Sequence, residues 1–92
     1  MMTCLKRLKL DVLKPHQPNV LELARAIAGL GAGYRVSVTV QEVDEKTETI
    51  VAVVEGEDIL FEEIARTIAE NGGSLHSIDE VEVVGLSTET ER

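Results

Sequence analysis

Tryptophan is absent from the 92 residues, and phenylalanine and tyrosine occur once each, as Phe61 and Tyr34. Sheets that recognise RNA stack bases on several exposed rings, so this sequence is a poor RNA reader. Basic residues are also scarce: 9 Lys and Arg stand against 17 Asp and Glu, a net charge of −8. Affinity for a phosphate backbone rests on counterion release by clustered Lys and Arg, which disfavours nucleic acid and favours cations as partners. A single cysteine, Cys4, excludes an internal disulfide and any C-x-x-C metal-transfer loop. The start Met-Met-Thr-Cys-Leu-Lys-Arg lacks the apolar stretch of a signal peptide. No run approaches the roughly 20 apolar residues of a membrane helix. These absences predict a cytoplasmic protein with no membrane partner. Its two prolines, Pro15 and Pro18, lie close together and leave the other strand-like segments unblunted.

What the chain does contain is a repeat. Glu22-Leu-Ala-Arg-Ala-Ile-Ala-Gly-Leu-Gly31 returns as Glu63-Ile-Ala-Arg-Thr-Ile-Ala-Glu-Asn-Gly72, one E-x-A-R-x-I-A-x-x-G skeleton read twice. Each copy is flanked by strand-like segments, and neither half covers its apolar face alone. Overlaying the halves aligns Leu10 with Val51 and Val12 with Val53. At 92 residues there is room for one domain, residues 1–92.

Between Leu5 and Leu13, Leu8, Leu10 and Val12 alternate with Arg7, Lys9 and Asp11, the period of a strand with one buried and one wet face. Lys14-Pro-His-Gln-Pro18 is expected to stop it. Asn19 and Glu22 have capping-box spacing ahead of a stripe of Val20, Leu23, Ala24 and Ile27, and Gly29, Gly31 and Gly33 end that helix. A second strand over Tyr34 to Val43 turns through Asp44-Glu45-Lys46-Thr47 into a third over Glu48 to Glu55. Asp58 is the expected cap of the second helix, with Glu62 and Glu63 in its first turn and Phe61, Ile64, Ala65 and Ile68 facing the core. The last strand runs from Leu75 to Val84 with a bulge near Asp79-Glu80, and residues 87–92 form a polar tail expected to fray. Right-handed crossovers then give an α+β, ferredoxin-like β-α-β-β-α-β domain. Its antiparallel sheet has the order 4-1-3-2, with both helices on one face.

That topology sets the start of strand four beside the end of strand one. It predicts that His16 and His76, the two histidines of the chain, lie close together with Asp11, Asp79 and Glu80. Imidazole beside carboxylate suits a borderline divalent ion such as zinc, manganese or nickel, so these five residues are the candidate metal site. The same group can serve instead as a pH-responsive contact. A histidine next to proline is more often a turn residue, and an acidic hairpin such as Glu42 to Glu48 is more often a solvated turn than a ligand set. No nucleophile with a base and an orienting group appears, and no glycine-rich phosphate loop stands between strand one and helix one. Strand two is a long, regular edge whose free N–H and C=O groups invite a partner, which predicts a homo-oligomer through the sheet edges.

Three strings carry a resemblance: Leu10-Asp-Val-Leu-Lys-Pro-His-Gln-Pro18, Glu42-Val-Asp-Glu-Lys-Thr-Glu48 and Gly72-Gly-Ser-Leu-His-Ser-Ile-Asp-Glu-Val81. With them the chain resembles a family of short, mainly archaeal proteins known as domain of unknown function 211. That resemblance implies a ferredoxin-like fold, a homo-oligomeric assembly and no established activity. It also places His16, His76, Asp79 and Glu80 on a shared surface. The chain departs from the family in the short Gly29 to Gly33 link and in the tail after Gly85. The reading that follows is a non-enzymatic, homo-oligomeric binding or regulatory module for a divalent metal ion or small ligand at the strand-one and strand-four end. A metal-dependent enzyme with an open position for water, or a purely structural assembly protein, are the alternatives.

Overall fold

The computed structural model describes residues 2–87. The elements follow in the order β1 (Thr3–Pro15), α1 (Val20–Ala28), β2 (Arg35–Val43), β3 (Thr47–Glu55), α2 (Phe61–Glu70) and β4 (Ser74–Gly85). They form an α+β structure with a four-stranded sheet ordered β2-β3-β1-β4 and every neighbouring pair antiparallel. This arrangement is consistent with a ferredoxin-like fold. The expected frayed tail lies, from residue 88 on, outside the described residues.

Period-two alternation decides what β1 buries. Leu8, Leu10 and Val12 point inward beside Ile50, Ala52 and Val54 of β3, with Leu10 opposite Ala52 and Val12 opposite Ile50. Leu23 and Ile27 of α1 and Ile64 and Ile68 of α2 close on the same strand residues, with Ile59 between them, in one cluster. Val20, Phe61, Tyr34, Val36, Val38 and Leu75 pack around it. α1 lies over β2 and α2 over β4.

The repeat holds for the helices and fails by one residue for the strands. Leu23 matches Ile64 and Ile27 matches Ile68, all buried, but the overlay that aligns them puts inward Leu10 on Val51. Val51 lies opposite outward Asp11. A shift of one residue moves every strand side chain to the other face, so the pseudo-symmetry of the strands needs a different offset from that of the helices.

Two boundaries also differ from expectation. β1 runs on through Lys14 and Pro15, which pair with Glu48 and Thr47 of β3, because a proline at a strand end forgoes only a peripheral ladder bond. Helix α2 starts later than Asp58: the N–H of Ile59 bonds to the carbonyl of Leu5 (2.9 Å) and its side chain enters the core, which holds that residue out of the helix. The cap therefore falls on Leu60, which has no side-chain oxygen to offer. At the other end the N–H groups of Gly72 and Gly73 bond to Ala69 and Ile68 carbonyls, a Schellman closure that needs the positive φ of +84 at Gly72.

Candidate functional site

The outward face of β1 carries Arg7, Lys9, Asp11 and Leu13. Near its end a shallow depression of about 210 Å³ is lined by Asp11, Val12, Leu13, Thr49 and His76. Three strands build it: Leu13 is paired with Thr49 of β3, and the β1–β4 ladder slips between Asp11 and Val12 so that His76 stands out of register between Ser77 and Leu75. The slip aims the imidazole at the outward face beside Asp11. One carboxylate oxygen of Asp11, Oδ1, is buried and has no hydrogen-bond partner among the described residues. A buried acceptor without a donor is costly and rare, so it marks a place where a donor or cation is wanted.

His16 is engaged elsewhere. Its Nδ1 lies 3.4 Å from Oε1 of Glu48, and its Nε2 lies 3.0 Å from each of the carbonyl oxygens of Asp44 and Glu45 in the β2–β3 turn. Every one of these neighbours is an acceptor, so only an imidazolium with both N–H groups satisfies them. The carbonyl of Glu45 and the carboxylate of Glu48 accordingly hold the imidazole pKa above its ordinary value. Glu48 in turn accepts from the ammonium of Lys14 (Oε2, 2.9 Å), which also donates to the Pro15 carbonyl (2.6 Å). Lys14, with His16 in support, keeps Glu48 below the usual carboxylate range. The Lys14 side chain is 0% exposed and that of Glu48 12%, so β1 ends in a buried ion pair capped by a histidine. Lys14 reads as a loop residue in the sequence. The signal for its burial is its place in the inward series Leu8, Leu10, Val12, Lys14.

The five predicted residues thus separate into local groups. Asp11 and His76 share the depression, and His16 joins Glu48 and the hairpin turn. Asp79 accepts from the Ser77 hydroxyl (2.6 Å), and Glu80 accepts from Nε of Arg7 (2.6 Å), which lowers its pKa. Among the described residues no three His, Cys, Asp or Glu side chains are grouped to hold a metal ion. A second concavity at the far end of the sheet is lined by Lys6, Gly33, Arg35, Glu55, Gly56 and Glu57. Its charges are largely paired already, Lys6 with Glu57 (3.0 Å) and Glu55 with Arg7.

Fold and site together define a small α+β protein with one antiparallel sheet and a carboxylate–imidazole depression on its uncovered face. The chain belongs to the family of domain of unknown function 211, described as "Uncharacterized ArCR", whose model matches residues 6–91. It is 40% identical over 80 residues to the uncharacterized protein MJ0319 of Methanocaldococcus jannaschii, covering 87% of this chain and 82% of that archaeal relative. Among the described residues no helix is long and apolar enough to cross a membrane.

Proposed function

We propose that this protein is a non-enzymatic, ferredoxin-like binding module that works as a homo-oligomer and takes a divalent cation in the depression between Asp11 and His76. The unpartnered Oδ1 of Asp11 beside an imidazole is the observation that carries the reading. One carboxylate and one imidazole suit a borderline ion such as zinc or manganese, and the net charge of −8 raises the local concentration of any cation. In this reading His16, Asp79 and Glu80 keep their own hydrogen-bond partners and do not touch the ion. Two donors from one chain leave the remaining coordination positions to water or to a second subunit.

Isothermal titration of untagged protein with zinc and with manganese chloride tests this. His76→Ala and Asp11→Asn are each expected to weaken binding at least about tenfold, the equivalent of 1.4 kcal/mol. His16→Ala is expected to leave it near the wild-type value. Wild-type affinity in both site variants, or no binding of either ion, sinks the reading.

A further inference from the structure

Both edges of the sheet are open among the described residues: β2 ends it on one side and β4 on the other. β4 is 12 residues long, has no proline, and pairs through only one of its two sides. At about 3.4 Å per residue it spans about 40 Å, whereas α2, with ten residues at about 1.5 Å, covers about 15 Å. Beyond Leu75 the helix side of β4 is therefore left bare. Ile78, Val81 and Val83, which lie across from Leu10, Leu8 and Leu5, are 48%, 55% and 52% exposed. On the opposite edge Val40 and Val43 of β2 are exposed as well. An unpaired backbone with apolar side chains along it is a template for another strand.

We propose that β4 of one copy pairs with β2 of the next, so that subunits join head to tail in a continuous sheet. This rests on the homo-oligomeric part of the reading above and names its interface. Chain direction is the first argument. Three successive antiparallel pairings make β2 and β4 run in opposite directions. A second copy laid beside the first in the same orientation brings its β2 antiparallel to β4. The helices stay on one side, and Ile78, Val81 and Val83 meet the valine row of β2. Charge is the second argument. β4 carries Asp79, Glu80 and Glu82, so folding it against itself about its centre sets acid against acid, which is destabilising. β2 has one cation, Arg35, and one acid, Glu42, and an antiparallel match brings its Arg35 end toward the Glu80 to Glu82 stretch of β4. The other end of β2 then comes toward His76. Glu42 pairs with Thr49 and so belongs to the outward face that holds the depression. Glu42 of the partner subunit would thus supply a carboxylate to the two-donor site.

Head-to-tail contacts either close into a ring or grow into a filament, and in both cases each chain offers two different edges. Complementation separates this from symmetric pairing. One variant, Val81→Lys with Val83→Lys, blocks β4; another, Val40→Lys with Val43→Lys, blocks β2. All four positions are exposed, and circular dichroism checks that both variants fold. Native mass spectrometry and light scattering are expected to show an oligomeric wild type and two monomeric variants. An equimolar mixture is expected to give a species of two chains, one of each kind, joined through the one intact β4 and the one intact β2. A mixture that stays monomeric, or one variant that dimerises by itself, overturns the proposal while leaving a homo-oligomer intact. A wild type that is monomeric at high concentration overturns the homo-oligomeric reading itself, and the interface with it.

Discussion

Lys14 brings an ammonium group to a place with no access to water, and Glu48 is what makes that tolerable. Removing one member of a buried ion pair leaves the other uncompensated, so Glu48→Gln is expected to destabilise the fold by about 3 kcal/mol in urea denaturation. Lys14→Met combined with Glu48→Leu should recover most of that loss, because two apolar groups need no counter-charge. A Glu48→Gln protein as stable as wild type contradicts the burial argument. His16 gives the same corner a pH dependence. Its folded pKa is raised, so its contribution to stability is complete below the ordinary value of 6.5 and is lost as pH rises through the folded value. Glu48 is the mirror case: its folded pKa is lowered, and its contribution is lost as pH falls through that value. Thermal melts from about pH 5 to about pH 8 should show the gap between wild type and His16→Gln narrowing toward the alkaline end. A gap that is constant with pH removes the charge from the argument. None of this is visible in the string Lys14-Pro-His-Gln-Pro18, where proline and histidine suggest a turn. The hydrogen bonds appear only once β3 lies alongside.

Element by element, the two helices differ most at their starts. α1 has a complete capping box, with Asn19 Oδ1 accepting from the Glu22 N–H and Glu22 Oε1 accepting from the Asn19 N–H, both at 2.9 Å. Asn19→Ala should therefore cost about 1 kcal/mol. For a domain of this size that lowers the melting temperature by roughly 4–8 °C. α2 begins at the uncapped, half-exposed Leu60, whose N–H is held by the Tyr34 hydroxyl (2.9 Å). Leu60→Ser supplies the missing acceptor and should raise stability by about 0.5–1 kcal/mol; a loss in the melt shows that Leu60 packing outweighs a cap. The capping box was legible because it depends on residues three apart. The displaced start of α2 was not, because it follows from Ile59 bonding to Leu5, more than fifty residues away in sequence. The slips in β4 divide in the same way. The one at Asp79 was expected, whereas the one that turns out His76 depends on how β4 meets β1.

At the scale of the whole molecule the net charge of −8 works against association, since copies repel one another before any strand can pair. Raising sodium chloride from about 0.01 M to about 0.15 M shortens the screening length from about 30 Å to about 8 Å. Oligomer dissociation measured by sedimentation should therefore weaken over that range. An oligomer that loosens with salt instead points to an interface held by ion pairs, not by the valines of β4 and β2.

The sequence by itself determined the element types, the inward row of β1, the sheet order and the family, because each follows from local periodicity, a repeat or a long specific string; the inward row of β3 it misplaced by one residue. It also named Asp11 and His76. Tertiary structure decided how the five candidate residues divide, with Asp11 and His76 in one depression and His16 turned to Glu48 and the hairpin. It decided as well that Lys14 is buried and that β4 outruns its helix. The physical reason is parity: one unpaired residue in a ladder sends every later side chain to the opposite face, and where the slip at His76 falls is fixed by how β4 meets β1, not by the residues around it.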